Sequence, residues 1–172
     1  TNTIKPLKPI LEKAFESLHG FNPDEDICNM IEAAVWSLDR GMYQQSITFL
    51  EEGIITYLCE KHDVDKFDLD MRECINIFVR KSIQKKKNEE AYNYFEEDED
   101  ERKIVFERKL FGDQSLNINF VNNYNMLIEL RNYINHAGMK KKCIKNSNLK
   151  ENIKFCVDYF NSFIKDDPLP VK

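Results

Sequence analysis

Apolar residues recur three and four places apart along most of this chain, the repeat of an α-helix with one buried face. Ile4, Leu7, Leu11, Ala14, Phe15 and Leu18 form a continuous stripe and predict a helix from about Pro6 to Leu18. Asn22 as cap, Pro23 at the first helical position and Asp24, Glu25 and Asp26 in the first turn mark the next start. Ile27, Met30, Ile31, Ala34, Val35 and Leu38 then repeat until Gly41. Met42 to Lys61 reads as a third helix with Ile47, Leu50, Ile54, Tyr57 and Leu58 inward. The short link at Arg40-Gly41 makes these two an antiparallel pair.

Asp68 suits the cap of a fourth helix, in which Met71, Ile75 and Phe78 recur until about Lys81. From Lys85 to Arg108 charge dominates, and Tyr92, Tyr94 and Phe95 offer only a narrow apolar strip; a mobile or partly helical insertion is expected there. Phe120, Tyr124, Leu127, Ile128 and Ile134 define a further helix, and Gly138 suits its left-handed end. Leu149, Ile153, Cys156, Phe160, Phe163 and Ile164 define the last, closed by Pro168. The expected fold is all-α: an up-and-down helical bundle forming one domain over residues 1–172, with residues 85–108 as a charged, partly ordered insertion.

Composition agrees, since five glycines and five prolines in 172 residues are too few for a turn-rich sheet protein. The cysteines, Cys28, Cys59, Cys74, Cys143 and Cys156, are odd in number and form no Cys-x-x-Cys pair, which reads as reduced thiols, mostly in the core. No apolar run approaches a membrane span and no signal segment opens the chain, so a cytoplasmic location with no membrane partner is expected. The chain starts at Thr1 rather than Met, and residues 1–20 read as a lead-in helix after a missing upstream domain.

A net charge of −5 argues against a protein that coats nucleic acid through its overall field. The distribution adds more. Glu96 to Glu101 is an unbroken acidic run, whereas Lys140, Lys141, Lys142 and Lys145 cluster just after His136.

That cluster adjoins the candidate chemistry, Arg131-Asn132-Tyr133-Ile134-Asn135-His136. An arginine shortly before a histidine arises by accident in roughly one such chain in three, and the adjoining asparagine lowers this to roughly one in thirty. Residues four apart stack on a helix while residues five apart diverge by about 140°. Asn132 and His136 therefore share a face and Arg131 points to a flank. One copy does not aim both groups at one atom, whereas a two-fold axis would bring two histidines and two arginines around one phosphate. His136 in the last turn lies at the negative end of the helix dipole, which suits a proton donor. Arg131 would hold phosphate oxygens, Asn132 would orient the phosphate or the imidazole, and the ribose 2′-hydroxyl would attack without a metal or cofactor. The structural alternative is a surface salt bridge for Arg131 and a carbonyl contact for His136. The lysines would then be a solvated loop. His62, Asp63, Asp65 and Asp68 have the composition of a metal site, but they join two helices, where caps and turn residues are expected, and no metal is assigned. His19 receives no role.

Arg131-Asn132-x-x-x-His136 resembles the Arg-polar-x-x-x-His signature of HEPN domains. Glu32 to Ser46, followed by Glu51-Glu52-Gly53 and Leu58-Cys59-Glu60-Lys61, resembles the early helix pair of HEPN domains in type III CRISPR accessory ribonucleases. The likeness covers roughly Pro23 to Ile164. It implies a metal-independent endoribonuclease of antiviral defence that cleaves single-stranded RNA as a homodimer, with Arg131, Asn132 and His136 at the motif positions. It also implies an upstream sensor domain, binding cyclic oligoadenylate, that this sequence does not contain. Two other classes stay open: a catalytically silent HEPN-like module for dimerisation or nucleotide binding, and a helical adaptor.

Overall fold

The computed structural model describes residues 9, 12–13, 20–22, 25–87, 100–136, 148–167 and 169. Six helices run through them: α1 (Asp26–Asp39), α2 (Tyr43–Lys61), α3 (Leu69–Lys87), α4 (Glu101–Gly112), α5 (Ile118–Asn135) and α6 (Leu149–Asp166). No strand occurs among the described residues, and the architecture is a helical bundle.

The centre of the bundle is α2, which packs against α1, α3, α5 and α6. Its sequence explains the position: Ile47, Leu50, Ile54, Ile55, Tyr57, Leu58 and Cys59 are all buried, so the helix is apolar around most of its circumference. α1 lies closest to it, because a Cβ on Gly53 would sit 3.1 Å from Met30 Cβ and 3.4 Å from Ile31 Cδ1. Glycine permits that approach, and Ser46 Oγ adds a 2.8 Å hydrogen bond to Ala34 O. Around α2 the aromatic rings interlock. Phe120 of α5 meets Phe160 of α6 edge-on at 5.7 Å, and Tyr57 of α2 meets Phe163 at 5.8 Å.

The helix ends follow local chemistry. α1 stops at Arg40 and Gly41, where Gly41 N–H donates to Leu38 O and Met42 N–H to Ser37 O, with Gly41 at φ 71°. α2 stops the same way with an aspartate: Asp63 at φ 59°, its N–H donating to Glu60 O while Val64 N–H reaches Cys59 O. Asp68 caps α3 through Asp70 N–H and Met71 N–H, as its position in the sequence implied. Asn117 caps α5 through Asn119 N–H and Phe120 N–H.

Three boundaries differ from expectation. α3 continues to Lys87 rather than ending near Lys81. The second part of the charged stretch is a packed helix: α4 starts at Glu101, with Phe106, Glu107 and Leu110 buried. The buried carboxylate explains why charge density misled, because Lys81 Nζ reaches Glu107 at 2.7 and 2.9 Å and so makes a charged position part of the α3–α4 contact. Asp100, from the acidic run, supplies the α4 cap. The third difference lies at α1, which begins at Asp26 behind Glu25 with no side-chain cap bond. Asn22 instead donates its N–H to Asn29 Oδ1 at 2.8 Å and its Nδ2 to Glu25.

The expected helix at Pro6–Leu18, with Pro23, Cys143, Gly138 and Pro168 and the apolar strip of Tyr92, Tyr94 and Phe95, lies largely or wholly outside the described residues. Cys59, Cys74 and Cys156 are buried thiols and Cys28 is exposed. Burial pushes the Cys59 thiol up to about 11 and that of Cys156 up to about 12, which leaves both unreactive at neutral pH.

Candidate functional site

The motif lies at the C-terminal end of α5, built as its periodicity implies. Leu127, Leu130 and Tyr133 turn into the core, which leaves Arg131 and Asn132 half-buried and Asn135 and His136 exposed. His136 is the C-cap residue, its backbone N–H donating to Asn132 O at 3.1 Å. Helical geometry therefore persists to His136, and Asn132 and His136 sit one turn apart on one face.

Arg131 and Asn135 occupy the neighbouring face, against α2. Arg131 pairs with Glu51 through Nη1 and Oε1, while Asn135 Oδ1 accepts from Gln44 Nε2 at 3.3 Å. These two contacts fix α2 and α5 antiparallel. The structure thus turns the Arg131 side chain onto α2 and joins it to Glu51.

Glu51 is 4% exposed, whereas the Arg131 side chain retains 35% of its surface, so a buried carboxylate is paired with a partly exposed cation. Burial pushes the Glu51 carboxyl above its ordinary range, and the Arg131 charge pulls back only part of that shift. Beneath the pair, Tyr124 is fully buried and donates to Asn76 Oδ1 at 3.2 Å. Its phenol is held well above its ordinary value by burial and then by the Glu51 charge, so it stays neutral.

Glu51, Gln44 and Asn135 were not assigned roles from sequence. Glu51 lies 80 positions before Arg131 and Gln44 lies 91 before Asn135, so no local spacing signals either pair. Lys140, Lys141, Lys142 and Lys145 lie outside the described residues.

A second polar group sits at the opposite end of α2, about 26 Å away by helical rise from Gln44 to Lys61. Lys61 bridges Asp113 at 2.7 Å, Ser115 Oγ at 2.8 Å and the carboxylate of Asp167, and Tyr57 donates to Asp167 O at 2.6 Å. His62 Nε2 lies 3.1 Å from Asp113 Oδ2. His62, Asp63, Asp65 and Asp68 turn the chain rather than converge: Asp63 ends α2, Asp65 accepts from Phe67 N–H and Asp68 caps α3. Among the described residues no group of three or more His, Cys, Asp or Glu side chains is placed to hold a metal ion.

This far-end cluster makes stability acid-sensitive. Burial alone would raise the Asp113 and Asp167 carboxyls, yet hydrogen bonds from Lys61 and Ser115 hold both below their ordinary values. Burial lowers the His62 imidazole, favouring its neutral form. All three folded-state values are depressed, so the stabilisation is complete above the unfolded values and is lost as pH falls. Urea midpoints should decline from about pH 6.5 as His62 is forced to charge, and more steeply below about pH 4 as the carboxylates protonate. Asp113→Asn should flatten the lower limb; an unchanged limb would place the acid sensitivity elsewhere.

No helix of the described residues is long and apolar enough to cross a membrane. No protein-family model, curated protein or solved structure matches this chain.

Proposed function

We propose that this chain is a metal-independent endoribonuclease domain of the HEPN kind, cleaving single-stranded RNA at a composite site formed by a homodimer. One observation carries the reading: the end of α5 presents an exposed His136 one turn beyond Asn132, on the helix that carries a partly exposed Arg131 held through Nη1 by Glu51. Guanidinium has five donors in a fixed fork, so a group held by Glu51 still has N–H bonds for phosphate oxygens.

In the proposed reaction the ribose 2′-oxygen attacks the adjacent phosphorus, the bond to the 5′-oxygen breaks, and His136 delivers a proton to that leaving oxygen. A second histidine, from the partner copy, takes the 2′-hydroxyl proton, and Arg131 offsets the charge growing on the phosphate. Because Arg131 is held on Glu51 and stands five places from His136, about 140° around the helix, convergence at one phosphate falls to the two-fold pairing of two α5 ends. A role in CRISPR antiviral defence, and control by an upstream sensor of cyclic oligoadenylate, rest on the resemblance of the motif and the α1–α2 segment alone.

The test is cleavage of labelled single-stranded RNA in excess chelator, beside an oligonucleotide with 2′-deoxy sugars throughout. The expected result is cleavage of RNA only, with a rate that rises with protein concentration through dimerisation. Loss of activity with chelator, or cutting of the deoxy strand, overturns it.

The lysines after the motif should contribute phosphate contacts. Replacing Lys140, Lys141 and Lys142 by Gln should reduce the slope of log affinity against log salt by roughly 2, at about 0.7 per contact on a single strand. Equal slopes would show that these lysines do not touch phosphate.

The Arg131–Glu51 ion pair favours one other reading, because it satisfies the motif arginine inside the chain. On that reading the domain is a catalytically silent HEPN-like module for dimerisation or nucleotide binding, or a helical adaptor, and the same assay shows no cleavage.

A further inference from the structure

A groove between α1 and α2 carries two buried polar atoms that lack a hydrogen-bond partner among the described residues. Phe21, Met30, Ala33 and Trp36 line it with Phe49 of α2, enclosing about 470 Å³. Its polar groups divide between two ends. Near the start of α1, Asp26 accepts from Lys66 Nζ at 2.8 Å and Asn29 binds the Asn22 backbone through both of its side-chain polar atoms, so this end is satisfied. Toward the end of α1, Ser37 lines the groove with only 1% of its surface exposed, and neither its hydroxyl nor the buried Nε1 of Trp36 has a partner.

Both atoms have had the opportunity to find one. A helical serine commonly returns its proton to a nearby carbonyl, and Ser46 does so across the helix pair to Ala34 O at 2.8 Å, yet Ser37 makes no such bond. The indole is held in place, because the Arg40 guanidinium stacks on its ring at 3.8 Å and donates to Trp36 O at 3.2 Å. A buried donor without an acceptor is costly and rare, and here two stand on adjacent residues of one groove. Apolar walls with a few fixed polar groups are the usual build of a small-molecule site.

We propose that the groove binds a small, uncharged molecule with an apolar body of one or two rings and a carbonyl oxygen, which accepts from Trp36 Nε1–H and from the Ser37 hydroxyl. The chemistry follows from the lining. Both donors are neutral and no lysine or arginine lines the groove, so a carboxylate would be buried there without a counter-charge, and Asp26 at the other end disfavours an anion further. A carbonyl oxygen has two lone pairs and takes both bonds. Met30 to Ser37 spans about 10 Å by helical rise with the short Ala33 side chain between them, which gives two fused rings room to lie against α1. The groove shares no residue with Arg131, Asn132, His136 or Glu51, and the inference is independent of the catalytic reading.

The chain contains a single tryptophan, so its spectrum holds one indole N–H resonance, and that proton is the proposed contact. Titrating the isotope-labelled intact protein with methyl naphthyl ketone should move this resonance downfield and saturate. Ethylnaphthalene, of similar shape but without the oxygen, should bind roughly tenfold more weakly. Ser37→Ala should weaken the ketone roughly fivefold and leave the hydrocarbon unchanged, while Ala33→Leu, which fills the groove, should abolish binding of both. A resonance that stays in place up to the solubility limit of the ketone overturns the proposal. Equal affinity for the two probes overturns it too, since no acceptor is then recognised, and ketone binding that survives Ala33→Leu places the ligand elsewhere with the same result. The comparison of the two probes is made on the wild-type chain and depends on no variant folding.

Discussion

Replacing His136 by alanine should lower the rate of RNA cleavage in excess chelator by about 10² to 10⁴-fold, the usual contribution of a positioned proton-transfer group. The structure makes this variant informative because His136 is exposed and caps α5 through its backbone N–H, which alanine retains. The change in stability should stay within about 0.5 kcal/mol, so the folded fraction is preserved. Mixing the variant with wild type adds a second readout. If each phosphate is served by histidines from both copies, heterodimers carry a damaged site, and activity falls below that expected from the wild-type fraction alone. An unchanged rate in His136→Ala would remove the histidine from the chemistry and take the proposed mechanism with it.

Arg131→Met should abolish cleavage and also destabilise the fold, and the two losses have different causes. Removing the guanidinium leaves Glu51, 4% exposed and already raised by burial, without its counter-charge. Loss of one partner of a fully buried pair costs about 3–5 kcal/mol; with a third of Arg131 in solvent, about 1–3 kcal/mol is expected here. Adding Glu51→Met removes the stranded carboxyl while keeping a straight-chain side chain of similar volume. The double variant should recover most of the lost stability in urea unfolding and remain inactive. Recovery of activity in the double variant would mean that Arg131 serves the fold alone. Failure to recover stability would mean that the Glu51 pocket does not tolerate an apolar group.

The helices of this bundle were readable because their apolar residues repeat strictly. Ile47, Leu50, Ile54, Tyr57 and Leu58 were expected inward on α2, and all five are buried. The tight α1–α2 link was readable from Gly41 and the start of α3 from Asp68, because both act within a few residues of themselves. The stretch that holds α4 was read as mobile or partly helical rather than packed, because its core face includes Glu107, whose partner Lys81 stands on another helix. The same physics limited the reading of the site. Arg131, Asn132 and His136 stand out as a local pattern, and the shared face of Asn132 and His136 follows from helical spacing. Glu51 and Gln44 matter only because α2 and α5 lie antiparallel, and that relation is made by packing rather than by sequence proximity.

The central place of α2 bears on how such a domain diversifies. Glu51 is buried on a helix touched by four neighbours, so a substitution that suits a new ligand there is also tested against the core. Asn135 and His136 stand at an exposed helix end, where change is tolerated structurally. Divergence among descendants of this domain should therefore accumulate at the exposed end of α5, with Glu51 inherited nearly intact.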